Sequence, residues 1–295
     1  MAILTGIGSN LRGSAGKWTY ARTGGQTVAR EKADTKGQSP RTFAQMRNRV
    51  QLSNIVNMWR AFEGLDRPSF ERADRRVSDY NLFTAANLGI VPVFLTKEEA
   101  RSGACVVAPY IVTRGTLPSI NIFEAGGGAI KTSVELGDLV IDANTTLAEF
   151  SNAVVSNNQD FAFGDNITCF IARQLTDAAT NMPRVVIEES NVTLDGEDSV
   201  TLLRDTASAA AFSSVDSALG MSGLLDGGVV YIHSRKTADG TKVSTQRFLV
   251  SNAILSQYQS QTKMDKAITS YGGQLKVPYL TPNGNDIEIA RNGGE

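Results

Sequence analysis

Histidine and cysteine are the scarcest chemistry-bearing residues of this 295-residue chain: one histidine, His233, and two cysteines, Cys105 and Cys169. The common His/Cys zinc sites need more such ligands than one chain supplies here. Both cysteines lie in apolar runs, "ACVVAPYIV" and "NITCFIA", which predicts buried reduced thiols and no disulfide framework. No stretch approaches the roughly 18 apolar residues of a membrane span, and the opening "MAILTGIGSNLRGS" lacks the apolar run of a signal-peptide core. The expectation is a protein made and left in the cytosol, with no membrane span.

Catalytic motifs are equally thin. His233, in "VVYIHSRK", falls at strand spacing, where a surface or half-buried structural histidine is expected over a general base. No G-x-S-x-G elbow supports a Ser-His-Asp arrangement. In "EAGGGAIKTS" Ala129 and Ile130 displace the lysine of a phosphate loop, and in "GSAGKW" Trp18 follows Lys17 where Ser or Thr belongs. "LDGEDS" (Asp195, Glu197, Asp198) alternates like a calcium loop, but Thr206 stands at the closing glutamate position. Asp138 and Asp142 read as strand-edge residues, and nothing singles out a glycosidase pair. No catalytic residue, metal or cofactor is expected, and the chain is not expected to be an enzyme.

What the sequence does have is uneven charge. Through Tyr80 it carries 14 of its 29 basic residues and only 7 of its 30 acidic ones. A basic head on an acidic body points either to nucleic acid or to head-to-body contact between copies. At 295 residues, several modules are expected.

"KWTYAR" and "QTVAREK" flank Gly24-Gly25, the signature of a two-stranded hairpin. The polar linker "KADTKGQSPR" follows. Thr42 and Gln45 then form a capping box for a helix to about Phe62, with apolar positions Met46, Val50, Leu52, Ile55, Val56, Trp59 and Phe62. Pro68 fits the first turn of a second helix closed by Gly89, completing a helical hairpin. Thr96 and Glu99 cap a short helix. "CVVAPYIVT", "SINIF", "IKTSVEL", "NITCFIARQL", "RVVIEES", "GVVYIHSRK" and "KVSTQRFLVS" then read as strands, with "TLAEFSNAVVSN" inserted as a helix capped by Thr146 and Glu149. The hairpin at "KTADGTK" is the clearest turn. "NAILSQYQSQTKMDKAITSYGG" reads as a final helix, and the tail beyond it holds two short extended stretches.

The predicted fold class is α+β. An N-terminal β-hairpin arm and linker (1–38) and a helical segment (39–104) lead into a β-rich body (105–251). That body is an immunoglobulin-like sandwich or a partly open barrel with an inserted helix. A C-terminal helix and extended tail (252–295) complete the chain.

In their order along the chain, "GSAGKWTYARTGGQTVAREK", "SPRTFAQMRNRV", "IVTRGTLPSI" and "VYIHSRKTADGTKVSTQRFLVS" resemble a domain family of unknown function common in gut Bacteroidales and their phages. The resemblance covers most of residues 5–251. It implies a compact body with immunoglobulin-like strands behind a helical entry and a phage or mobile-element origin, and it carries over no established activity. The helix at 146–157, the final helix and the tail depart from the family pattern.

An isolated hairpin is marginal in water, so the N-terminal ribbon is expected to dock on its own body or a neighbour. The leading expectation is a phage structural protein, a ring, connector or accessory head or tail component. Its interaction residues are Arg12, Lys17, Trp18, Tyr20, Arg22 and Arg30 in the ribbon and Val277, Tyr279, Ile287 and Ile289 in the tail. Expected partners are copies of itself and other virion proteins. The expected location is the virion, after synthesis in host cytoplasm. One alternative is nucleic-acid binding through the same basic ribbon, whose aromatic residues could stack on bases. Another is a carbohydrate-binding or hydrolytic surface module.

Overall fold

The computed structural model describes residues 2–4, 12–23, 26–32, 43–65, 69–71, 77–208, 210–223, 226–272, 276–280 and 286–290. The chain opens with β1 (Ala2–Leu4), β2 (Gly13–Ala15), β3 (Trp18–Thr23) and β4 (Gln26–Glu31). The expected hairpin is there: Thr23 pairs with Gln26, which leaves a two-residue connection, although Gly24 and Gly25 themselves lie outside the described residues. The two-stranded ribbon is corrected to a four-stranded antiparallel sheet in the order β1-β4-β3-β2, because short segments add to both edges of the hairpin.

α1 (Phe43–Ala61) follows; its expected cap Thr42 lies outside the described residues. α2 (Asp79–Asn87) is shorter than expected. Its N-cap is Ser78, whose side chain accepts from the Asn81 amide, so the helix does not begin at Pro68, which lies outside the described residues. Phe70 instead makes a parallel bridge with Arg114. α3 (Lys97–Arg101) has the expected capping box of Thr96 and Glu99.

The body then runs through β5 (Ile111–Thr113), β6 (Ile122–Glu124), β7 (Ile130–Glu135), α4 (Leu147–Asn157), β8 (Asn166–Thr176) and β9 (Pro183–Thr193). Reciprocal bonds between Thr146 and Glu149 start α4 as expected. α5 (Leu203–Thr206), β10 (Ser213–Val215), β11 (Ala218–Met221), β12 (Gly227–Thr237), β13 (Gly240–Val243), β14 (Gln246–Arg247) and β15 (Leu249–Ser251) complete it. The single final helix is corrected to two, α6 (Leu255–Gln259) and α7 (Gln261–Ser270). Ser260 is extended there, and its side chain accepts from the Lys263 amide to start the second helix. β16 (Lys276–Leu280) and β17 (Asp286–Ala290) end the described chain as an antiparallel pair.

The fold is α+β, with several antiparallel sheets, none of them closed among the described residues. Its centre is the sheet β13-β12-β8-β9, with β15 also paired to β12. Because strand side chains alternate, the two faces serve two cores. Val230, Ile232, Phe170 and Ala172 face one core with Ile55 and Met58 of α1, Phe62 just past its end and Phe83 of α2. Val229, Tyr231, Ile167, Cys169 and Ile171 face the other, with Phe150 and Val154 of α4 and Leu219 of the sheet β10-β11-β7-β6. Burial on both faces explains the near-continuous apolar runs of β8 and β12. Phe62, in the turn that follows α1, meets Phe170 edge-on at 5.2 Å, tying the end of that helix to the sheet. A third cluster joins Met46 and Val50 of α1 to Met264 and Ile268 of α7.

"CVVAPYIVT" is corrected in the same region. Only Ile111–Thr113 is strand; residues 104–108 and Tyr110 are buried, and side chains take the place of most of a ladder beside single backbone bonds from Cys105 to Pro183 and from Phe248 to Tyr110. Asn54 binds both the N–H and the carbonyl of Val106 at 2.8 and 2.9 Å. Asn57 donates to the carbonyl of Ala104, while Gln174 accepts from Val107 and donates to the carbonyl of Cys105. Both cysteines are free and buried, and burial pushes each thiol up to about 12.

Candidate functional site

The two chain ends are built of strands and stand apart from the ladders of the body. Among the described residues, none of β1–β4, β16 or β17 pairs with a strand of the central sheets. The outer strands β1 and β2 are three residues each, and among the described residues no further strand pairs with the sheet's two edges. Such edges pair readily with added strands.

Register distributes the expected ribbon residues over this sheet. Trp18, Tyr20 and Arg22 alternate along β3 and stand opposite Glu31, Ala29 and Thr27 of β4, so the six share one face. Thr27 and Ala29 are buried there, whereas Trp18 is 47% exposed. Arg30 stands opposite Thr19, on the other face. Lys17 occupies the turn between β2 and β3, where its carbonyl accepts from Lys32, and Arg12 precedes β2. Arg12, Lys17, Arg22 and Arg30 are all exposed but do not converge on one surface. In the tail, Val277 stands opposite Ile289 and Tyr279 opposite Ile287, so the structure brings these four into one ribbon.

On the body, an open groove of about 710 Å3 is lined by Ile111, Ile120, Phe123, Arg247, Leu249 and Leu255, among others. It is bounded by β6, the last strand of its sheet, and Phe123 there is half exposed. Nearby, Glu71 fastens the loop before the groove. Its carboxylate accepts from the amides of Val243 and Thr116 at 2.7 and 3.0 Å and from the Thr116 hydroxyl at 2.9 Å. Burial opposes the charge, but these bonds outweigh it and hold the carboxyl below its ordinary range.

The expectation of a surface or half-buried His233 is corrected to full burial, because β12 runs between the two cores. Its Nε2 lies 2.9 Å from Asp165 Oδ2, and Arg235 grips the same carboxylate through Nε at 2.6 Å and Nη2 at 2.7 Å. Burial opposes the charge on Asp165, yet these donors and the Ala162 amide outweigh it and hold the carboxyl below its ordinary range. His233 and Arg235 are two apart on one strand, a spacing visible in the sequence; Asp165 sits 68 residues away and carried no signal. Among the described residues, no group of three or more His, Cys, Asp or Glu side chains is placed to hold a metal ion. The Asp195–Asp198 turn spends its carboxylates on nearby amides, Asp195 on Glu197 and Asp198 on Val200 and Thr201. No described helix is long and apolar enough to cross a membrane.

No family model, curated protein or solved structure matches the chain.

Proposed function

We propose that this protein is a structural component of a phage particle, a ring, connector or accessory part of head or tail, whose copies engage one another through strands donated from the chain ends. One observation carries the reading: β1–β4 form a sheet with open edges and no ladder to the body among the described residues. So small a sheet gains little stability alone, and a second molecule would complete it. The β16–β17 ribbon repeats the arrangement at the other end. The body groove beside the β6 edge is the kind of surface that a donated strand pairs with. Charge complementarity between basic head and acidic body would select the partner. Partners are then further copies and other virion proteins, and the site of action is the virion, after synthesis in host cytoplasm. The resemblance to a phage-associated domain family supports the same setting.

The test is removal of residues 1–38. The reading predicts a folded body by circular dichroism that no longer assembles in sedimentation or electron microscopy. Normal assembly of the truncated protein overturns it.

A second reading, nucleic-acid binding, is favoured by the exposure of Arg12, Lys17, Trp18, Arg22 and Arg30. The split of these residues between two faces, with Glu31 opposite Trp18, weighs against it. Phosphate binding weakens steeply with salt, whereas a largely apolar strand exchange does not, so a salt titration separates the two.

A further inference from the structure

We propose that Asp165, His233 and Arg235 form an acid-sensitive latch that fastens the 158–165 connection, between α4 and β8, to the central sheet. His233 is wholly enclosed, and Phe161 of the connection stacks on its ring at 4.2 Å and 22°. A carboxylate only accepts, so the ring is the tautomer whose Nε2–H donates to Asp165. Its Nδ1 is buried with no hydrogen-bond partner among the described residues. The connection is tied in at the same point. Asp165 Oδ2 also accepts from the Ala162 amide at 2.8 Å, and Arg235 Nη2 donates to the Asp160 carbonyl at 2.9 Å.

This geometry rejects a second proton. Protonation would put an N–H on Nδ1 where no acceptor stands, and a cation beside the Arg235 guanidinium. The charged groups around the ring are Asp165 and Asp160 from the connection and Arg235 from β12. β8 presents Ile167 opposite, and Ser244 Oγ accepts from the His233 backbone amide and from Gln246 Nε2, with no bond to the ring. Asp165 attracts the proton, but Arg235 already engages both of its oxygens. Burial therefore prevails and holds the imidazole below its ordinary value of 6.5.

The sign follows from linkage. Closed, His233 stays neutral; open, it titrates normally. The closed state is fully favoured above about pH 6.5 and is lost as pH falls through the lower folded value, with opening rising about tenfold per pH unit in that window.

His233 is the sole histidine, so its ring gives one assignable nuclear magnetic resonance titration in the full-length protein. Hydrogen exchange at the Ala162, Gly164 and Asp165 amides, corrected for intrinsic rates, reads the latch from pH 7.5 to 5. Protection there is expected to fall as pH drops below 6.5, by up to about tenfold per pH unit until the folded value is reached, while the Val106 and Val107 amides keep theirs. His233→Gln removes the pH dependence. Should that variant fail to fold, Arg235→Gln serves: freeing Asp165 raises the His233 titration point and weakens the acid opening. The proposal is overturned if the ring titrates near 6.5 with protection unchanged, if acid opening persists unaltered in Arg235→Gln, or if Val106 loses protection in step with Gly164.

Discussion

Asn54 holds Val106 as a neighbouring strand would, accepting from its N–H and donating to its carbonyl through one carboxamide. The same device recurs where Asn87 grips Ile111 and Asn158 grips Glu135, each by both backbone groups. An amide side chain matches the donor and acceptor spacing of a peptide, so it can serve the backbone groups that an extended segment leaves without a ladder partner.

Removing one of these amides exposes the cost. Asn54→Ala leaves two buried backbone groups unpaired, and each such group costs about 1–3 kcal/mol. Unfolding by urea is expected to show a loss of about 2–4 kcal/mol. Asn48→Ala, on the exposed side of the same helix, is expected to change stability by less than about 0.5 kcal/mol.

Gly220 lies where the β11–β7 register shifts. A Cβ there would meet the Ile130 carbonyl oxygen at 2.1 Å, a backbone atom that cannot swing aside. Gly220→Ala is expected to destabilise by about 1–3 kcal/mol through overpacking. Gly126→Ala, with open space around it, is the control expected to leave the thermal midpoint in place.

Glu71 makes part of the stability acid-sensitive. Its folded pKa lies below the ordinary value of 4.5, so its contribution is complete above that value and is lost as pH falls through the lower folded one. Glu71→Gln is expected to cost about 1 kcal/mol at pH 7, an amount limited by solvent screening of a partly exposed carboxylate. The gap to the unaltered protein should close in acid; a pH-independent gap in denaturant midpoints would count against a charge-borne role.

Local signals in the sequence carried much of this fold. The β3–β4 hairpin follows from its glycine pair, α3 and α4 from their capping boxes, and the β12–β13 hairpin from "KTADGTK". Failures occurred where tertiary contacts decide. Residues 104–110 carry the apolar run of a buried strand, and nothing in that run reveals that amides replace its ladder. α1 looked like an apolar stripe, yet it buries Asn54 and Asn57 because those amides serve the adjoining segment. The outer strands β1 and β2 are too short for a periodic signal. His233 was legible as a strand residue, but its burial depends on a second layer packing over β12 and its partner Asp165 on a distant turn.

Donation of the N-terminal sheet to another copy is tested most directly by cross-linking an equal mixture of isotopically heavy and light chains. Lys17, in the β2–β3 turn, and Lys32, directly after β4, mark that sheet, and Lys131, Lys236 and Lys242 mark the body. The account predicts heavy-to-light cross-links from Lys17 or Lys32 to body lysines, absent when residues 1–38 are removed. Cross-links from these two lysines confined to chains of one isotope would show the arm resting on its own body and contradict it.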